Sequence, residues 1–179
     1  AKRMAWKITV PAELRYAFDT HIYSIAYGDD NMDNMSDLAI QYFNHDAQAK
    51  AFAKLGMTLT SEDKDANTKP TRLITEVTFL KRSFVHEQGR WICPIDKLTI
   101  EDMVHWVRKN ATTNETFPMI VSSAFREASL HPKSYYDKYT NAVVRAMKHS
   151  RQVPNLPTKY MWDTQRRLVL ESDSVDYDF

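Results

Sequence analysis

The chain has 179 residues, 43% hydrophobic and 12% aromatic, a globular composition whose mean hydropathy of -0.53 and lack of any run near the ~20 apolar residues of a spanning helix exclude a membrane-embedded helical protein. A single Cys93 excludes an intrachain disulfide framework and fits a reducing compartment. The net charge of +1 is too small to mark a basic nucleic-acid-binding domain by itself, and the six scattered histidines lack the spacing of a zinc site.

The length suits one domain, or one and a half. Three glycines point to a helix-rich chain with few tight loops. The opening Ala-Lys-Arg-Met-Ala-Trp-Lys has charge but no apolar core of a signal peptide. It begins mid-pattern, so a piece of a longer protein is expected.

Pro11 breaks any helix over residues 1 to 18, leaving a second helical stretch at Ala12 to Phe18. An apolar-rich run, Ile22 to Tyr27, meets a second, Asn31 to Ser36, through Gly28, Asp29 and Asp30. The pattern predicts a β-hairpin with those three residues at its tip, since glycine and aspartate tolerate the positive φ of tight turns. Ser36 is a good N-cap for a helix reaching about Leu55, with Leu38, Ala39, Tyr42, Phe43, Ala49, Phe52 and Ala53 near a 3.6 period. Gly56 is its stop. Met57 to Leu59 reads as a short strand, and Thr60 to Pro70 as a polar loop.

Residues 72 to 93 read as strands, with a turn at Gln88-Gly89. Everything after Pro94 reads as helix. Thr99 is expected to cap a helix carrying Ile100, Met103, Val104, Trp106 and Val107. A second opens at Asn114 with Pro118 near its first turn. A third runs from Lys133 to Ser150, and a fourth from Thr158 to Leu170, with Pro154 and Pro157 between them. Residues 171 to 179 form a short acidic tail. The composition changes near residue 98, which suggests two subdomains, 1–98 and 99–179. Trp91, Trp106, Phe125 and Trp162 are expected as core or interface aromatics.

Adjacent carboxylates at Asp29 and Asp30 repel each other unless a cation or donor lies between them. A hard divalent cation with oxygen ligands, Mg²⁺ or Mn²⁺, suits that pair. The bland alternative is an ordinary Gly-Asp turn. Tyr27-Gly28-Asp29-Asp30-Asn31 at the tip of an apolar hairpin resembles motif C of viral RNA-dependent RNA polymerases, and most of all the picornavirus-like positive-strand group. Leu55-Gly56 through Ser61-Glu62-Asp63-Lys64 is similar to motif D, which ends in a lysine. Phe79-Leu80-Lys81-Arg82 matches the bend of motif E. The motifs stand in the family's order.

The resemblance implies an α+β fold: a palm with an antiparallel sheet and packed helices, then a mainly helical thumb, as a fragment of a right-hand polymerase. It implies a nucleotidyltransferase copying RNA from ribonucleoside triphosphates with two metal ions. Asp29 is then the direct metal ligand and Asp30 its support. Lys64 is the general acid toward departing pyrophosphate, and Lys81 and Arg82 grip the primer backbone. Tyr27, Gly28 and Asn31 build the turn; Tyr27 is as well suited to packing beneath it. Implied partners are template and product RNA, the triphosphates, and the fingers and upstream palm of the same parent chain. The implied setting is a replication complex in the host cytoplasm. The fragment alone is expected to be inactive.

From Arg126 to Arg167 nine Lys and Arg face only Glu127, Asp137 and Asp163, a net of +6. That suits helices lying along an RNA duplex, against the alternative of ordinary solvated helix faces. A reverse-transcriptase palm and a non-enzymatic RNA-binding relic are the competing readings. Gly28 and the Phe-Leu-Lys-Arg bend count against the first, and intact Asp29, Asp30, Lys64 and Lys81 against the second.

Overall fold

Pro11 cannot continue a helix. In the computed structural model, which describes residues 1–61, 71–106, 113–149 and 161–172, the first helix, α1 (Lys2–Thr9), ends just before it. A 3₁₀ turn (Ala12–Leu14) and α2 (Phe18–His21) follow. The chain then enters β1 (Ile22–Tyr27) and β2 (Asp30–Met35), which pair antiparallel as the predicted hairpin. Its base is closed onto the helices: Ser36 N–H donates to the His21 carbonyl at 3.0 Å, and Ser36 Oγ lies 2.9 Å from His21 Nδ1.

Ser36 does cap a helix, accepting from Ala39 N–H at 3.2 Å, but that helix does not run to Leu55. It breaks into α3 (Asp37–Phe43) and α4 (His45–Lys54). Asn44 stands between them in extended conformation and its Oδ1 accepts from Ala47 N–H at 3.1 Å, so a second N-cap interrupts the predicted helix. Gly56 is the stop as expected. With φ +75° it closes a Schellman motif, Gly56 N–H to the Ala53 carbonyl and Met57 N–H to the Phe52 carbonyl. The strand predicted at Met57 to Leu59 does not form.

One apolar cluster holds these elements together. Trp6 is fully buried at its centre, edge-on to Phe18 and Phe43 at 5.7 and 5.3 Å. Val10, Ile22, Ala39, Ala51 and Phe52 complete the cluster. Its indole N–H donates to the Leu14 carbonyl at 2.9 Å, so the one polar atom of the ring is satisfied.

The chain forms two compact units, Ala1–Leu80 and Lys81–Phe179. Residues 71–80 contribute a 3₁₀ turn (Ile74–Glu76), where a strand was predicted, and β3 (Thr78–Phe79). The second unit opens with β4 (Arg82–Ser83), then the hairpin β5 (Val85–Glu87) and β6 (Arg90–Ile92), turning at Gln88-Gly89 as predicted. Residues 81 to 98 belong with the helices, although their composition groups them with the front half. Asp96 N–H donates to the Lys81 carbonyl, Ser83 N–H to that of Pro94, and His131 Nε2 lies 2.8 Å from the Ile95 carbonyl oxygen.

Helix α5 (Lys97–Met103) starts two residues before Thr99, because Asp96 is the cap. Its carboxylate accepts from Thr99 N–H and Thr99 Oγ1, and the hydroxyl bond in particular holds the Asp96 carboxyl below its usual range. Helices α6 (Thr113–Ser129), α7 (Lys133–His149) and α8 (Trp162–Ser172) follow. Their core joins Ile100, Val121, Phe125, Tyr136 and Met147. Phe125 and Trp162 pack there as expected, whereas Trp91 and Trp106 are 52% and 76% exposed. No helix among the described residues is long and apolar enough to cross a membrane. Val107, Pro154, Pro157 and residues 173–179 of the acidic tail lie outside the described residues, whereas Glu171 and Ser172 extend α8 past the predicted end at Leu170.

Candidate functional site

The pairing Tyr27↔Asp30 leaves Gly28 and Asp29 as a two-residue connection. Gly28 has φ +63° and Asp29 does not take a positive φ. Positive φ at the first central position alone is the signature of a type II′ turn, which follows strand twist and wants glycine there. The turn therefore uses glycine's freedom but not aspartate's. A Cβ on Gly28 would meet nothing within 4 Å, so backbone conformation is what demands the glycine.

The two carboxylates differ in their surroundings. Tyr27 and Asp30 share one hairpin face with Tyr23 and Asn34, and all four are exposed. Tyr27 therefore does not pack beneath the hairpin; its ring is 71% exposed. The other face carries Ser24, Ala26, Asn31 and Asp33. Asp29, at the tip, lines an open cleft of about 670 Å³ with Lys2, Arg3, Asp19 and Asn31, and Asp30 does not line it. Arg3 forks onto Asp19 at 2.7 and 2.5 Å, which holds the Asp19 carboxyl below its ordinary range.

The Ser24 face is occupied by a lysine that sequence reasoning did not single out. Lys2 Nζ donates to Ser24 Oγ at 3.0 Å, Asn31 Oδ1 at 2.9 Å and Asp33 Oδ1 at 2.6 Å. Asn31 in turn donates to the Asp29 carbonyl at 3.4 Å. Asn31 is thus a strand residue opposite Ala26 that ties the turn to α1.

At the second predicted site, Leu80 and Lys81 both take positive φ, 52° and 62°, as a type I′ turn requires. The bend projects Lys81 into solvent, its Nζ reaching Thr99 Oγ1 at 3.4 Å. Arg82 is otherwise engaged. Its guanidinium forks onto Glu127 at 3.0 and 2.7 Å and donates to the Cys93 carbonyl at 2.8 Å. With the pair 36% and 26% exposed, Arg82→Met is expected to lower the stability of the second unit by about 1–3 kcal/mol. Glu127→Gln should do the same with a non-additive double mutant, read by denaturant unfolding.

The basic run is divided in the same way. Arg166 sits over the Trp162 ring, donates to the Ser129 carbonyl and pairs with Glu87. Lys133 pairs with Asp137, and Arg167 with Glu171. Lys138, Arg145 and Lys148 are exposed at helical spacing along α7. Lys64, Arg151 and Lys159 lie outside the described residues. Among the described residues no group of three or more His, Cys, Asp or Glu is placed to hold a metal.

Comparison with known proteins bears on this hairpin. The family description for viral RNA-dependent RNA polymerases matches residues 3–148. The chain is 31% identical to the replicase polyprotein of cricket paralysis virus over 182 aligned residues, covering 98% of this chain and 10% of the polyprotein. It is 34% identical to the replicase polyprotein of acute bee paralysis virus, covering 72% of this chain and 7% of that one. Among solved structures, a Sicinivirus 3Dpol RNA-dependent RNA polymerase superposes with a TM-score of 0.70 at 20% identity, covering 93% of this chain and 33% of that one. The chain therefore spans a third or less of the relatives it matches.

Proposed function

The chain belongs to the viral RNA-dependent RNA polymerase family, and from that premise we propose that it is the palm and thumb portion of a polymerase that copies RNA from ribonucleoside triphosphates. The observation that carries the reading is the Gly28-Asp29 turn, which sets Asp29 at a cleft and turns Asp30 to the other face of the hairpin. Two exposed oxygen-donor carboxylates at the hairpin tip, Asp29 in the turn and Asp30 at the start of β2, fit Mg²⁺, with Mn²⁺ as the alternative. Bound there, the metal supplies charge stabilisation for the attacking oxygen and the triphosphate. Asp29 holds it and Asp30 supports the site electrostatically. The remaining ligands come from an upstream strand of the parent chain.

Lys64 protonates the departing pyrophosphate in this scheme. Lys81 contacts the primer backbone from its turn, while Arg82 anchors that turn through Glu127. The exposed Lys138, Arg145 and Lys148 of α7 lie along product RNA. In this reading residues 1–98 serve as palm and 99–179 as thumb, residues 81–98 being a palm segment that folds in the same compact unit as the thumb helices, within a replication complex in the host cytoplasm. The test is primer extension by the full-length polymerase containing these residues, on an RNA template with a divalent metal. Ribonucleotide incorporation is expected. A preference for deoxynucleotides would favour a reverse transcriptase, and RNA binding without incorporation a polymerase relic. In the same protein, Lys81→Ala should weaken RNA binding evenly across sequences and lower the salt slope of affinity by about 1; an unchanged slope would remove Lys81 from the phosphate contacts.

A further inference from the structure

We propose that Lys2 is a positioning residue for Asp29, acting from α1 through Asn31; the inference rests on the polymerase reading above. An ammonium has three N–H donors and no acceptor, and the hairpin offers Lys2 three oxygens at 2.6 to 3.0 Å. The set is complete: Ser24 and Asp33 are direct cross-strand partners, and Asn31 lies two residues nearer the tip on the same face. One cation therefore grips both strands. The Lys2–Asp33 pair is largely removed from water, its side chains being 19% and 6% exposed, so screening by salt is weak there, while the contacts to Ser24 and Asn31 are solvent-exposed.

The last link reaches the chemistry. Asn31 accepts from Lys2 with its Oδ1 and donates with its Nδ2 to the carbonyl of Asp29. The amide thus joins the ammonium to the backbone of the turn residue. Gly28 and Asp29 join the two strands without pairing themselves, so the side-chain link limits how far the turn can twist. Helix α1 is in turn fixed by Trp6 in the apolar cluster. The arrangement places Asp29 relative to the core before any metal arrives.

The test is made in the full-length polymerase with two substitutions. Asn31→Ala cuts the link to Asp29 but leaves the Lys2–Asp33 pair, so the fold is retained. Lys2→Met removes the donor and keeps the aliphatic stem. Hydrogen exchange is read at the Asp29 to Met32 amides without metal, and incorporation is read with Mg²⁺. Both variants should exchange these amides on the order of ten-fold faster than the parent. Both should lower kcat by ~10–100-fold, with the triphosphate KM and RNA affinity unchanged. Wild-type exchange and kcat in Asn31→Ala would overturn the proposal, even if Lys2→Met fails to fold. If the parent polymerase itself incorporates nothing, the polymerase reading fails, and the metal-free exchange comparison still decides the positioning role.

Discussion

Asp29→Asn in the full-length polymerase is expected to cut nucleotide incorporation by on the order of 10³-fold or more, and Asp30→Asn by distinctly less. Asparagine keeps the shape of aspartate and removes its charge, so the comparison isolates what each carboxylate does for a cation. Metal stabilisation of transition-state charge is worth several kcal/mol, and each decade of rate costs about 1.4 kcal/mol. The two neighbours are unequal because a two-residue connection puts Asp29 in the turn and Asp30 at the first pair of β2. One lines the cleft beside Asn31 and Lys2, and the other shares the exposed Tyr23–Tyr27 face. Both are exposed, so neither substitution should speed the amide exchange of α1 or α3 appreciably. Single-turnover incorporation on a pre-bound RNA primer-template checks the prediction. Equal losses would mean that both ligate directly, and a larger loss at Asp30 would reverse the roles.

What the sequence makes legible here depends on how local the physics is. The β1–β2 hairpin can be read almost to the residue, since an apolar-rich run and a Gly-Asp connection are short-range signals that agree. The break between α3 and α4 is invisible to periodicity: Leu38, Ala39, Tyr42, Phe43, Ala49 and Phe52 keep a rough 3.6 spacing across it. Only the competing cap at Asn44 marks the break. Met57 to Leu59 has strand composition, but Met57 spends its N–H closing α4. Asp96 displaces Thr99 as a cap by a local choice between two good candidates, its carboxylate accepting from both Thr99 N–H and Thr99 Oγ1.

The site itself is less legible. Lys2 meets its acceptors across 22 to 31 residues of sequence, and Arg82 meets Glu127 across 45. No pattern within a helical or strand window reports such pairings. The adjacent Lys81 and Arg82 look equivalent as a sequence, yet one is solvated and the other is held in a carboxylate fork. Charge counting from Arg126 to Arg167 likewise cannot separate Arg166, stacked on Trp162, from Lys138 on an open face.

Trp6→Ala is expected to destabilise the first unit by about 3–5 kcal/mol, the range for removing a fully buried large aromatic. That is a large part of the 5–15 kcal/mol typical of a folded domain. Three separate losses add up at this position. The ring volume empties between Phe18 and Phe43, both of which meet it edge-on. The contact with His21 at 6.3 Å goes, at the residue that closes the hairpin base. The Leu14 carbonyl loses its indole donor and keeps its bond from the Ala17 N–H, so one of its two hydrogen bonds goes. Trp6→Phe keeps most of the ring and loses only part of the volume and the hydrogen bond, so it should cost about 1–3 kcal/mol. The measurement is hydrogen exchange of α1, α3 and the hairpin in the full-length polymerase, since a multidomain protein has no single unfolding free energy. Faster exchange at α1 together with the hairpin, and not in the second unit, is the expected pattern, because the cluster around Trp6 contains Ile22 of β1 as well as Ala39 and Phe43 of α3. Unchanged hairpin exchange in Trp6→Ala would mean that the turn bearing Asp29 is held by its own strand pairing, and that α1 carries Lys2 without supporting it.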